Sequence, residues 1–383
     1  MSAIIKPASE QELSELIAAA SGPFELIGTA SRRNLGRPMQ TASTLDLSGF
    51  SGVIAYEPEE LILEVGAGTR LADIEALLTA NRQQLAFEPP DWSALLGASH
   101  SGTVGGLVAC NLSGPRRLKA GAARDHMLGV RGVTGRGEIF KAGARVVKNV
   151  TGYDLPKLLT GSHGTLAALT SVILKVLPAP DTEETVVLTG LDDESAVSAM
   201  SLAMQSACEV SAAAHVPGEA TYLRLEGIAP SVAYRRDQLA RLLKRPVEIM
   251  AETSSAAKWR SIRDGAAFAS RSAHPLWRIS VTPSQAPLLI RTLRQSLDIR
   301  YIFDWAGGLI WLEVPPSADA SADTIRAAMS GGHATLIRAP QAVRASVAVF
   351  EPQPQALAAL SQRVKDSFDP RHILNPGRMY REF

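Results

Sequence analysis

The sequence predicts a protein of two units, an α/β unit first and an α+β unit after it. Three observations carry this reading. The chain has 383 residues, more than one core usually serves. Its hydrophobic share of 46% and charged share of 20% are those of an ordinary globular protein. The pattern changes at Pro178-Ala179-Pro180: before it, glycine loops follow short strands, and after it strand and helix alternate with few paired glycines. A net charge of +1 sets up no global field for nucleic acid or an anionic membrane. No stretch reaches the roughly 18 uncharged apolar residues of a membrane span, and MSAIIKPASEQEL lacks the apolar run of a signal peptide. Two distant cysteines, Cys110 and Cys208, suit a reducing cytoplasm and make neither a disulfide framework nor a metal knuckle.

Taken in order, Ser9 and Glu12 form a capping box ahead of an amphipathic helix, EQELSELIAAA. The strand Phe24 to Ile27 ends in Gly28-Thr29-Ala30-Ser31-Arg32-Arg33, a small-residue loop whose two arginines make it a candidate anion cradle. Strands at Thr44 to Leu47 and Leu61 to Val65 lead into Gly66-Ala67-Gly68 and a helix from Leu71 to Asn81, with Thr69 as its expected cap. Gly66-x-Gly68 is not a dinucleotide fingerprint, because its third position is Leu71. His126 to Thr134 and Glu138 to Gly143 read as a hairpin around Gly135-Arg136-Gly137. In KNVTGYDLPKLLTGSHGTL, three glycines punctuate a short helix, and a β-branched strand runs on to Val176. Beyond Pro180, strands are expected at Thr185 to Leu188, Tyr222 to Leu225, Val247 to Met250, Leu276 to Val281, Tyr301 to Phe303 and Leu309 to Val314. Helices are expected at Asp193 to Ser206, Ala233 to Leu243 and Ala286 to Ser296, with a last one at Gln355 to Ser367. No internal repeat is visible.

The stretch Leu96 to Arg117, LGASHSGTVGGLVACNLSGPRR, is the densest in chemistry. It holds five glycines, hydroxyls at Ser99 and Thr103, and the pair Arg116-Arg117. Glycine lets a ligand approach the main chain with no Cβ in the way. Successive free N–H groups, with a helix starting near Val104, suit an anion. A plain surface loop with two stray arginines is the alternative; a diphosphate-bearing cofactor accounts for more of these residues.

Three blocks then carry a resemblance: GTVGGLVACNLSGPRR, RVVKNVTGYDLPKLLTGSHGTLAALTSVILKV and FDPRHILNPGRMY. With the lead-in Phe87-Glu88-Pro89-Pro90, they resemble the FAD-binding proteins of the vanillyl-alcohol oxidase (PCMH) superfamily, and within it the smaller FAD-binding subunits of bacterial glycolate oxidases. The resemblance implies an α+β, PCMH-type fold of two subdomains around an extended FAD, with a ferredoxin-like α+β cap. It implies a FAD-binding domain over 1–180, a cap over 181–345 and a returning segment over 346–383. Carried over by position, Gly28, Thr29, Ala30, Ser31, Arg32 and Arg33 form the first pyrophosphate loop. Gly97, Gly102, Thr103, Val104, Gly105 and Gly106 lie along the diphosphate and ribose, and Asn111 and Gly114 hold that segment. Gly161, Gly164 and Thr165 lie by the cofactor, and Asn375 near the ring. Relatives carry glycines where Thr29 and Ala30 stand, and a Cβ at a left-handed position costs about 1 kcal/mol or more. The first loop has no His or Cys, so a non-covalent flavin is expected, with His100 the nearest alternative.

A flavin takes a hydride from a carbon bearing a hydroxyl once a base takes the hydroxyl proton, and a 2-hydroxy acid adds a carboxylate that suits arginine. Arg278 and His333 are the expected substrate residues, with Arg260 a further candidate; each is also an ordinary strand or surface residue. The resembled enzymes have a larger FAD-containing catalytic subunit with a His-x-His metal pair, and an iron–sulfur subunit. None of the seven histidines here forms such a pair, and two cysteines cannot hold an iron–sulfur cluster. Three functions stay open: a subunit of a glycolate-oxidising complex, a stand-alone flavin oxidase of another alcohol or hydroxy acid, and a FAD-fold structural subunit.

Overall fold

Ser9 opens the first helix, α1 (Glu10–Ala18): its hydroxyl accepts the Glu12 amide at 3.1 Å, and the Glu12 carboxylate accepts the amide of Ala8. Leu13 and Ile17, four apart, are fully buried on one face. The computed structural model describes residues 3–145 and 152–382, so residues 146–151 of the second resemblance block lie outside the described residues. The chain divides into two units. The first holds Met1–Ser113, Gly121–Ala179 and Pro352–Phe383; the second holds Gly114–Ala120 and Pro180–Glu351.

In the first unit, β1 (Ala3–Ile5), β2 (Phe24–Ile27) and β3 (Ser43–Asp46) form a parallel sheet in the order β1-β3-β2. The chain continues through β4 (Val53–Glu57), β5 (Ile62–Gly66), α2 (Leu71–Ala80), β6 (Gln83–Gln84), α3 (Ser93–Leu96) and α4 (Val104–Cys110). After α5 (Arg117–Ala120), which belongs to the second unit, come β7 (Met127–Thr134), β8 (Ile139–Gly143), α6 (Leu155–Leu159), β9 (Ala167–Lys175) and β10 (Leu177–Pro178). Strands β4, β5, β9, β7 and β8 pair antiparallel in that order. Strand β9 is buried on both faces from Ala167 to Leu174, Thr170 and Ser171 included, as a central strand requires. Thr69 does not cap α2. Its hydroxyl donates to Gly66 O at 2.6 Å and accepts the Gly52 amide at 3.0 Å, so the hydroxyl ties the end of β5 to the chain before β4, and Arg70 takes the cap position without a side-chain bond.

In the second unit, β11 (Thr182–Leu188), α7 (Asp193–Gln205), β12 (Ala212–Val216), β13 (Ala220–Gly227), α8 (Ala229–Leu243) and β14 (Glu248–Met250) pair in the order β14-β11-β13-β12. After α9 (Glu252–Arg263), the series β15 (Leu276–Ser280), α10 (Ala286–Leu293), β16 (Arg300–Asp304), β17 (Leu309–Glu313), α11 (Ala322–Ala328) and β18 (His333–Arg338) pairs as β16-β17-β15-β18. Each series is the strand–helix–strand–strand–helix–strand of a ferredoxin-like fold. The two share one sheet through a single register pair, His215 with Phe303. A topological repeat is therefore present where the sequence shows none, because strand order is set by tertiary pairing and leaves no repeated residues. Trp277, Ile279, Phe303, Ile310 and Leu312 bury one face of the second half, and Arg278 and Trp311 alternate onto the other.

The chain passes α12 (Gln341–Ser346) and returns to the first unit as α13 (Gln355–Phe368). Lys365 and Asp369 pair there at 2.7 Å, both fully buried. Lys365 also donates to Thr165 O and Leu374 O, and Asp369 accepts the amides of Ile373 and Leu374. Such a pair is kept because every polar atom finds a partner. Among the described residues, no helix is long and apolar enough to cross a membrane.

Candidate functional site

A cleft in the first unit holds roughly 790 Å³ of empty space, its open mouth included. Gly28, Thr29, Ala30, Ser31, Arg32 and Arg33, the loop that leaves β2, all line it. Gly28 is required by close approach: a Cβ there would lie 2.6 Å from the Thr103 hydroxyl. Ala30 does stand in the left-handed region, at φ 58°, with the strain that its Cβ brings. Thr29 instead donates its hydroxyl to Ser101 O at 2.7 Å, which fixes the loop by a side chain.

Helix α4 borders the cleft with Thr103, Gly105 and Gly106. Thr103 is its N-cap, accepting the Gly106 amide at 3.3 Å. The Val104 amide donates to Thr69 O at 2.9 Å and the Gly105 amide to Ala67 O at 2.8 Å. The N–H groups that the sequence offers to an anion are thus engaged by the 67–69 loop. Arg32 brings a positive charge into the cleft. It is buried, its Nε makes no hydrogen bond, and burial lowers its pKa. A Cβ on Gly102 would collide with its guanidinium, and one on Gly106 would sit 3.2 Å from Nη1. Arg33, by contrast, is paired with Glu25 at 2.5 Å.

The far wall is His163, Gly164, Asn375 and Arg378. The Gly161 amide donates to Val108 O and that of His163 to Ala109 O, lacing this segment onto α4. Gly164 has φ +71°, and a Cβ there would lie 2.7 Å from the Asn375 amide. Thr165 is buried with its hydroxyl on Ser162 O. Asn375 is a clasp: its Oδ1 accepts the Leu26 amide and its Nδ2 donates to His163 O, both at 2.8 Å. Cys110 Sγ lies 3.7 Å from His163 Nδ1. Burial pushes the thiol up, and burial beside Arg378 takes the imidazole down to about 3, so the two form a neutral pair.

Sequence reasoning points to Cys110 only as an alternative flavin attachment site, beside His100, and does not single out His163 or Arg378; Cys110, His163 and Arg378 all line the cleft. Arg378 stands three residues past Asn375 in the NPGRMY tail, where nothing local marks its reach to the cleft. Gly97 is the exposed left-handed cap of α3 and lies off the cleft. Asn111 is the left-handed cap of α4, its Oδ1 accepting the Arg124 amide. His100 lines an adjoining cavity of about 1140 Å³ with Gly28, Thr29 and Gly68.

Gly114 falls in the second unit, where its carbonyl accepts the Trp305 indole N–H at 3.1 Å. Arg116 there grips Glu226 at 2.6 and 3.0 Å. Arg278 on β15 sits opposite Trp311 and Thr335, its guanidinium 4.7 Å from the Trp305 ring and 5.7 Å from that of Trp311. Burial first, and then the Arg117 charge, lower it to about 10. His333 pairs with Ser280, two residues along β15 and so on the Arg278 face; burial, and then Arg278, hold its ring below the ordinary value. Arg260 is exposed on α9 and does not join them. No group of three or more His, Cys, Asp or Glu with metal-binding geometry occurs among the described residues.

Residues 1–143 match the family model described as an FAD binding domain. Over 360 residues the chain is 34% identical to the glycolate oxidase subunit GlcE of Escherichia coli (strain K12), covering 94% of this chain and 93% of that one. It is 30% identical over 187 residues to the glycolate oxidase subunit GlcD of Bacillus subtilis (strain 168), covering 48% of this chain and 38% of that one. The crystal structure of p-cresol methylhydroxylase with substrate bound matches with a TM-score of 0.73 at 14% identity, over 99% of this chain and 88% of that one, a likeness of fold.

Proposed function

From the premise that the chain belongs to the family of the glycolate oxidase subunit GlcE, we propose that it is the FAD-binding subunit of a cytoplasmic assembly oxidising a small 2-hydroxy acid, glycolate, to the 2-oxo acid. The observation that carries this is Arg32. A buried guanidinium with an unbonded Nε, facing a cleft whose glycines admit a ligand to the backbone, fits an anionic diphosphate. Bound FAD supplies the hydride acceptor. In this reading residues 1–180 with the returning segment 346–383 hold the cofactor. The loop Gly28 to Arg33 and Gly106 border it, and Asn375 fixes the wall formed by His163 and Gly164. Residues 181–345 carry the substrate groups. Arg278, beside two indoles, offers its fork to the carboxylate. His333, held below its ordinary value, is uncharged at neutral pH and accepts the hydroxyl proton.

Turnover in this proposal needs the larger FAD-containing subunit, and electrons leave through it to an iron–sulfur subunit. The support is the absence of a His-x-His pair in the sequence, together with the need to hold carboxylate, base and flavin within reacting distance. The second reading, a self-sufficient dehydrogenase, is favoured by Arg278 and His333 sharing one face. The test is anaerobic mixing of glycolate with the flavin-loaded chain, alone and with its partners, followed by flavin absorbance. Bleaching only with partners is expected. Rapid bleaching of the lone chain, lost in Arg278→Ala or His333→Ala, refutes the division of labour. A purified chain that holds no FAD refutes the proposal as a whole.

A further inference from the structure

Arg378 reaches the cleft from the last segment of the chain, more than 340 residues from the loop that it meets. It touches that loop twice: its Nη2 donates to Arg32 O at 2.7 Å, and its own carbonyl accepts the Arg37 amide at 2.9 Å. The loop is shaped to receive it. Gly36 stands at φ +87°, and a Cβ there would lie 2.9 Å from Arg378 O. Both Arg32 and Arg378 line the cleft, and among the described residues neither forms an ion pair. We propose that Arg32 and Arg378 act as one two-armed receptor for the diphosphate of the cofactor, so that loading the cofactor and seating residues 376–382 are a single event.

Two guanidiniums held in a cleft whose lining carboxylate, Glu25, is already bonded to Arg33 are costly to desolvate, and a doubly charged group between them offsets that cost. Burial lowers the pKa of each, which fits a site awaiting an anion. Arg33 marks the contrast in the same loop, because Glu25 already neutralises it. The chain end is anchored independently as far as Asn375, by the buried Lys365–Asp369 pair and by the Asn375 clasp. Past Asn375, Arg378 makes two links to the loop, by its side chain and by its carbonyl. The inference rests on the reading that this cleft holds FAD, and the test separates the two.

Amide hydrogen exchange over residues 371–382 is measured on the full-length, flavin-stripped chain with no ligand, FAD, inorganic pyrophosphate or riboflavin. FAD binding is followed separately by flavin fluorescence. FAD and pyrophosphate are expected to slow exchange of 376–382 at least about tenfold, and riboflavin, which has no phosphate, is expected not to, since charged hydrogen bonds are each worth on the order of 10- to 100-fold. Arg378→Met is expected to weaken FAD binding by a similar factor and to abolish the tail protection, with the unfolding temperature of the stripped protein unchanged. Arg378→Lys restores only part of the affinity. FAD that binds with no change in tail exchange overturns the inference, as does an Arg378→Met protein that binds like the parent. If FAD fails to bind but pyrophosphate protects the tail, the FAD reading falls and the two-armed receptor stands. If neither acts, both fall.

Discussion

Gly105 and Gly106 are neighbours in one helix, yet the same substitution should do opposite things to them. A Cβ on Gly105 would lie 2.7 Å from Ala67 O and 2.8 Å from Ala67 Cβ, the backbone to which its own amide is bonded. Valine there forces α4 off the 67–69 loop. Overpacking of that kind costs up to about 3 kcal/mol, and the gain from leaving glycine in a helix returns less than about 1 kcal/mol. The net loss of about 2 kcal/mol lowers the unfolding temperature of a unit this size by roughly 4–8 °C. A Cβ on Gly106 meets only the tip of Arg32, at 3.2 Å, and Thr103 Oγ1, at 3.5 Å. Gly106→Val should therefore melt within about 2 °C of the parent, while its methyl groups occupy the cleft and weaken FAD by about 1–3 kcal/mol, roughly ten- to a hundredfold. Both variants are melted free of flavin, so that ligand does not mask the fold, and are then titrated with FAD by fluorescence. A Gly105→Val protein as stable as the parent, or a Gly106→Val protein that keeps a full flavin spectrum, refutes the division between packing glycine and cofactor glycine.

Acid precipitation should release all flavin colour into the supernatant, because the Gly28 to Arg33 loop holds no His or Cys; colour left in the pellet would implicate Cys110, His163 or His100. Lys365→Met leaves the buried Asp369 carboxylate without its cation and should destabilise the first unit by about 3–5 kcal/mol, read by denaturant titration. A Lys365→Met protein as stable as the parent would contradict the buried-pair reading. The pH dependence follows from His163, whose folded pKa near 3 lies below the 6.5 of a free imidazole. The unfolded chain then takes up a proton that the folded one refuses. Its contribution is full above pH 6.5 and falls by about 1.4 kcal/mol per pH unit as pH drops toward 3. His163→Gln should flatten that slope between pH 6 and 4, and an unchanged slope would rule the histidine out.

Elements whose signal is local were legible. The Ser9 cap, the hairpin at Gly135 to Gly137 and the buried run of β9 each follow from a few adjacent residues. Those that depend on the rest of the molecule were not. Ala212–Val216 is a run of small residues with no strand signature, and it becomes β12 because β13 and β16 flank it. The polar Glu252–Arg263 carries little helical period, and α9 forms because Trp259 is buried with its indole N–H on Thr185 Oγ1. The same division runs through the candidate site. The glycines and Arg32 stand in one recognisable loop, whereas Arg378 and His163 join it only after the chain has closed on itself.

The short segment Gly114–Ala120 has a consequence for the order in which this protein is made. A ribosome delivers it some 60 residues before the first strand of the unit in which it lodges. It must wait, because its Arg116–Glu226 pair cannot form until Glu226 emerges, nor its Gly114 O bond to the Trp305 indole until Trp305 does. The second unit therefore completes late, on a piece threaded out of the first. A fragment spanning 180–351 would lack that piece, leaving the Glu226 carboxylate and the Trp305 indole with bonds to find elsewhere. Cutting the protein at its apparent domain boundary would remove part of what it meant to isolate.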